Sequence, residues 1–221
     1  LQTFGEPLLN IDHHITNTKY AEINLVEPDS VATASVLVEH LPVWGLEINR
    51  ASASALLTGL ITDTLGFRTL NMNPKALRQA AEMMEKGAKI PDLYYRVLIS
   101  RSFKAVQYWG KGLANIERDG QMVWAELSLK DRKAVNYRGN DDADLINILS
   151  SIEKSPVALI FVEQPKGTVK VSWRARGEKW DVASVAAEFG GGGHRAAAGA
   201  TIEGSLEEIK LSVLHATREI L

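Results

Sequence analysis

A chain of 221 residues, 45% hydrophobic and 24% charged, has the make-up of a soluble globular protein with one large or two small domains. It has no cysteine, which excludes disulfides and thiolate chemistry, and its net charge of −2 excludes a broad cationic surface for long nucleic acid. No apolar run is long enough to span a membrane and the N-terminus has no signal-peptide pattern, so a cytoplasmic setting is expected.

The first half alternates strands with helices. Leu8 to Ile11 reads as a short apolar strand ending at Asp12, and Ala21 to Val26 as the next strand. A helix is expected from Asp29-Ser30 to about His40. Ala51 to Ile61 is apolar almost all round, as a buried helix is. Asn73-Pro74 supplies an N-cap followed by proline at the first helical position. The helix it opens should bury Leu77, Ala80, Ala81 and Met84 on one face. Such alternation suggests a parallel sheet covered by helices.

Residues 91 to 112 read as an amphipathic helical linker, with a domain boundary near residue 110. Beyond it, Val123, Ala125, Leu127 and Leu129 alternate with polar residues at strand period. Leu145, Ile148, Leu149 and Ile152 follow helix period. Val157 to Val162 is a continuous apolar run, hence a central strand. Gln164-Pro165-Lys166-Gly167 is a turn into a returning strand, Val169 to Arg174. Asp181 should cap a short helix that four glycines, Gly190 to Gly193, bring to a stop. Ser205 and Glu208 should form a capping box for the last helix.

Chemistry concentrates at four places. Asp12-His13-His14 follows a strand directly, and ligands of open α/β sheets gather at such strand ends. A carboxylate beside two imidazoles there suits a metal; the alternative is a chance cluster on a polar loop. Asp63 ends the apolar helix, where packing does not explain it; it either binds a metal or caps the next turn with Thr62 or Thr64. Mixed imidazole and carboxylate ligands suit manganese or zinc better than calcium. Lys170, Ser172, Arg174 and Arg176 alternate away from the apolar side of their strand and suit anion recognition or plain solvation. Gly191, Gly192, Gly193 and His194 expose backbone N–H groups and a ring donor, and four glycines exceed what a helix C-cap needs. His40 and His215 have no acidic companion at ligand spacing and read as structural.

Taken in order, Asp12-His13-His14, Thr62-Asp63-Thr64, Val171-Ser172-Trp173-Arg174 and Gly190 to His194 resemble the DHH phosphoesterases with a DHH-associated C-terminal domain. The likeness is strongest to bacterial oligoribonucleases of the nano-RNase A type that also act on phosphoadenosine phosphate. It implies an α/β fold: a parallel-sheet DHH domain, its N-terminal part missing, joined by a helical linker to a smaller α/β C-terminal domain. The implied bounds are 1–100 for the catalytic part, 101–118 for the linker and 119–221 for the substrate-binding domain.

The resemblance also implies roles. His13 and Asp63 are metal ligands, and His14 and Asp12 are catalytic, His14 at the scissile phosphate and Asp12 in support of the site. Arg174, Gly191, Gly192, Gly193 and His194 bind substrate. Two divalent ions are implied, manganese first, with magnesium or cobalt as substitutes. The expected partners are short single-stranded oligonucleotides or mononucleotide phosphates, with a homodimer as a further expectation. In one respect the pattern departs: only eleven residues precede Asp12, and they hold none of the family's upstream aspartates. The chain is therefore expected to be a fragment that is itself inactive. Rival readings are a RecJ-like single-strand DNA exonuclease, a cyclic-dinucleotide phosphodiesterase and, in another class, a catalytically incomplete nucleotide-binding module.

Overall fold

The computed structural model describes residues 7–221. The chain divides into two compact units, one ending at Ser100 and the other running from Arg101 to Leu221. In the first, β1 (Leu9–Asp12) and β2 (Ile23–Val26) pair in parallel, with Asp12 opposite Val26. The turn Glu27-Pro28-Asp29-Ser30 closes with Ser30 N donating to Glu27 O at 3.0 Å. Proline at its second position favours that geometry.

α1 (Thr33–Val43) starts later than Asp29-Ser30 suggests; its N-cap is Ala32, whose side chain cannot cap. α2 (Arg50–Asp63) is capped by the Asn49 side chain, which accepts from Ala51 N and Ser52 N, and it buries Ala53, Leu56, Leu57, Leu60 and Ile61. α3 (Pro74–Glu85) begins as read, with the Asn73 side chain accepting from Ala76 N at 3.0 Å.

The buried face of α3 is not the expected one. It carries Ala76, Gln79, Ala80 and Met83, while Leu77 and Met84 are exposed. Gln79 decides the rotation. Its Oε1 accepts from Ser35 Oγ at 2.6 Å and its Nε2 donates to Ser35 O at 3.1 Å, so a polar pair between α1 and α3 outweighs the burial of two larger apolar side chains. Val38, Ile48, Leu57, Ile61 and Met83 fill the core. α4 (Ile90–Tyr94) passes into a wider π turn, Tyr95–Ile99.

The second unit is built on one six-stranded sheet. Its strands are β3 (Glu117–Asp119), β4 (Met122–Leu127), β5 (Val157–Gln164), β6 (Thr168–Ala175), β7 (Gly192–His194) and β8 (Ala197–Glu203), in spatial order β3-β4-β5-β6-β8-β7. β4 and β5 pair in parallel and the other neighbours are antiparallel. The helices are α5 (Phe103–Leu113), α6 (Leu129–Ala134), α7 (Leu145–Leu149), α8 (Val182–Glu188) and α9 (Leu206–Arg218).

Each face of this sheet has its own core. Trp124, Phe161, Val171 and Trp173 pack with Val185 of α8 and Val213 of α9. Val123, Leu127, Ile160 and Val162 pack on the other side with Tyr108 of α5 and Leu145 and Leu149 of α7. β4 is consequently buried on both faces, where its alternation suggested one. Leu129 opens α6 rather than extending the strand, because Ser128 and Asp131 form a capping box there. α7 buries Ile146 beside Leu145 and Leu149 and leaves Ile148 exposed. The Asp181 cap of α8 and the capping box of Ser205 with Glu208 at α9 form as read.

Candidate metal centre

Asp12 ends β1 and organises the chain that follows. Its Oδ1 accepts from His13 N at 2.7 Å, from His14 N at 3.2 Å and from the His14 ring at 2.6 Å. Its Oδ2 accepts from Asn17 Nδ2 at 2.5 Å. Burial alone would raise the Asp12 pKa, but the Asn17, His14 and backbone hydrogen bonds outweigh it and hold the carboxyl far below the usual aspartate range. The carboxylate is thus committed to folding the Asp12–Asn17 loop. Asn10, buried under the same loop, donates to Asn17 Oδ1 at 2.8 Å.

The His13 ring is buried, 8% exposed. Its Nδ1 lies 3.1 Å from Ser30 O. A carbonyl only accepts, so Nδ1 carries a proton, and in the neutral ring the lone pair is on Nε2. That Nε2 lies 3.5 Å from Asp63 Oδ2, although 50 positions separate the two residues in the chain. Asp63 is the last residue of α2, and its side chain is 46% exposed. The turn after α2 is closed by Thr64, whose hydroxyl donates to Leu60 O at 2.6 Å and accepts from Phe67 N at 2.9 Å. Capping therefore does not need Asp63.

Imidazole nitrogen and carboxylate oxygen suit a borderline divalent ion. Two ligand atoms bound to one ion at roughly 2.0–2.2 Å each stand about 3 to 3.5 Å apart. His13 and Asp63 fit such an ion in donor type and in spacing. The His13 and His14 rings meet edge to face at 4.5 Å.

In the second unit, Arg174 lies on β6 with Ala158 opposite it on β5 and Ala197 on β8. Ala197 also faces His194 of β7, so Arg174 and His194 share one sheet face with a single strand between them. That face is no open solvated surface at Arg174. Its Nη1 donates to Trp173 O at 3.0 Å, and its Nε is sealed from solvent without a hydrogen-bond partner. Burial lowers its pKa while the Asp142 and Asp144 carboxylates push the other way.

The glycine segment is likewise no loose loop. Gly190 ends α8 at φ +71°, and Gly192–His194 form edge strand β7. A Cβ on Gly191 would stand 2.2 Å from Gly199 O, and one on Gly193 2.4 Å from Ala197 O; one on Gly192 would meet nothing within 4 Å. Two of the glycines therefore exist to seat β7 against β8, and Gly192 leaves its surroundings open.

Sequence reasoning missed Asn17, whose amide joins Asp12 to Asn10; an asparagine five positions after an aspartate was the available signal. His40 does have an acidic companion, since its Nε2 lies 2.7 Å from Glu27 Oε1. That partner precedes the helix and falls outside helical spacing.

Residues 131–219 match the DHHA1 domain. Over 97% of its length the chain is 34% identical to the bifunctional oligoribonuclease and PAP phosphatase NrnA of Thermus thermophilus, covering 64% of that protein. The second unit thus carries a DHHA1 domain, and the chain resembles the DHH phosphoesterases. Another relative, the bifunctional oligoribonuclease and PAP phosphatase NrnA of Mycoplasma genitalium, is 29% identical over 88% of this chain and 60% of its own length. The crystal structure of an exopolyphosphatase-related protein from Bacteroides fragilis shares the fold, with a TM-score of 0.87 and 25% identity over 96% of this chain and 64% of that one. The chain thus spans somewhat under two thirds of the length of these relatives. Its DHHA1 match lies wholly inside the second unit.

Proposed function

We propose that this chain supplies metal-ligating and nucleotide-holding parts of a phosphoesterase that hydrolyses short oligonucleotides and, as a second substrate, 3′-phosphoadenosine 5′-phosphate. The observation that carries the reading is the 3.5 Å approach of His13 Nε2 to Asp63 Oδ2 beside the Asp12-braced loop. His13 and Asp63 hold manganese on this reading. When bound, a divalent ion supplies Lewis acidity and makes a coordinated water acidic.

The chain's own groups do the rest. Asp12 holds the loop and the His14 ring. His14, with Nδ1–H committed to Asp12, donates from Nε2 to a non-bridging oxygen of the scissile phosphate when its ring is doubly protonated. In the second unit Arg174 and His194 take the anionic and polar groups of the nucleotide, and open backbone at Gly192 lets it approach beside Gly191 and Gly193. In the reaction a water oxygen bonds to phosphorus, the ester P–O bond breaks, and the departing oxygen takes up a proton. The names of the relatives from Thermus and Mycoplasma support this substrate class. The net charge of −2 favours short over long nucleic acid.

The test is turnover of di- to pentanucleotides, of a long strand and of 3′-phosphoadenosine 5′-phosphate, with manganese and with a chelator. Faster cleavage of the short substrates, abolished by chelation, is expected. Chelator-resistant cleavage, or a preference for the long strand, overturns the reading.

A further inference from the structure

The Nδ1–H of His13 donates to the backbone carbonyl of Ser30, and Ser30 is held from outside the metal centre. Its N–H donates to Glu27 O at 3.0 Å and its hydroxyl to Glu27 Oε2 at 3.1 Å. Glu27 N donates to Asp12 O at 3.0 Å, which ties the exit of β2 to the exit of β1. The other carboxylate oxygen, Oε1, is anchored by His40 Nε2 of α1 at 2.7 Å. Ser30 is buried, and Glu27 and His40 are half-buried. The Glu27 backbone thus ties β1 to the turn, its carboxylate joins the Glu27–Ser30 turn to α1, and the turn ends in the carbonyl that His13 uses.

We propose that Glu27 is a positioning residue for the metal centre: through Ser30 it places the carbonyl that keeps the His13 proton on Nδ1 and the lone pair on Nε2, facing Asp63. The inference rests on the reading of His13 as a metal ligand and adds the outer support of that ligand. Without the Glu27 carboxylate the turn loses its side-chain lock and the Ser30 carbonyl is free to rotate. The imidazole then exchanges between two neutral tautomers, and the Nε2–H form cannot bind a metal through the nitrogen that faces Asp63. Outer supports of ligating histidines alter metal affinity by about 10- to 100-fold. His40 gains a role here as the anchor of Glu27.

The test uses Glu27→Ala together with Ser30→Ala, which keeps the carbonyl and removes only the hydroxyl anchor, so a failure of the first variant to fold leaves the second to decide. Long-range nitrogen–proton NMR correlations of the His13 ring read the tautomer without metal. Calorimetry with manganese alone reads affinity. A single Nδ1–H tautomer is expected in the wild type. A mixed population, with affinity lowered about tenfold or more, is expected in whichever variants fold. An unchanged tautomer or unchanged affinity in a folded variant overturns the proposal. If the wild type shows the Nδ1–H tautomer yet takes up no manganese, the metal reading fails. The tautomer comparison then decides the positioning role alone.

Discussion

Asp12 shows how one carboxylate organises the loop that carries two neighbouring histidines. Four hydrogen bonds reach its carboxylate from within five residues of chain. Its folded pKa lies below the unfolded value of about 3.9, so its stabilising effect is complete above that pH and is lost as pH falls through the lower folded value. Asp12→Asn should therefore destabilise by about 1.5–3 kcal/mol at pH 7, the usual worth of hydrogen bonds to a charged group. The difference from wild type should shrink below about pH 4, and chemical denaturation across that range checks both points. At this scale the sequence named Asp12, His13 and Asp63, because histidines after a strand and an acid after an apolar helix are visible in one dimension. It did not show Glu27 with His40 or Asn10 with Asn17, since those pairs join separate elements. Arg174 was legible as a strand-face cation but not as a buried one. Arg174→Ala should accordingly lower the melting temperature as well as nucleotide affinity. Arg174→Lys keeps the charge and most of the stem but loses the planar fork, so it should weaken nucleotide binding about tenfold with a small change in melting. Equal affinity in Arg174→Lys and wild type would leave Arg174 structural.

At the scale of elements, β7 separates two uses of glycine. Gly191→Ala drives a Cβ into the backbone of β8 and should unseat the edge strand, seen as a clear loss of thermal stability. Gly192→Leu projects into open space at an ordinary backbone conformation and should leave melting nearly unchanged. On the proposed function it should reduce nucleotide binding by blocking approach. Unchanged binding in that variant would make β7 a structural edge alone. The sequence suggested a loop here because glycine carries no side-chain alternation from which to read a strand. Polar pairing shifted the buried face of α3: hydrophobic period favoured Leu77 and Met84 beside Ala80, whereas the pairing of Gln79 with Ser35 turned Ala76 and Met83 inward. β5 was plain because all of Val157 to Val162 is apolar, as a strand buried on both faces must be. β4 was half legible, since Met122 and Trp124 were not part of the alternation that was followed.

For the whole molecule, the α/β class and the family were legible from four short motifs in order. Each motif is weak by itself, and order along the chain made them specific. Among the described residues no helix is long and apolar enough to cross a membrane. What composition could not convey is that the second unit surrounds its sheet with two separate cores, which follows from helices lying on both faces. The central claim is that His13 and Asp63 together bind a divalent metal. Calorimetric titration of manganese into the wild type, His13→Ala and Asp63→Asn, with melting curves for each, tests it most directly. Manganese binding by the wild type, weakened about tenfold or more in both variants, is the predicted result. Manganese binding of equal strength in all three proteins would contradict it.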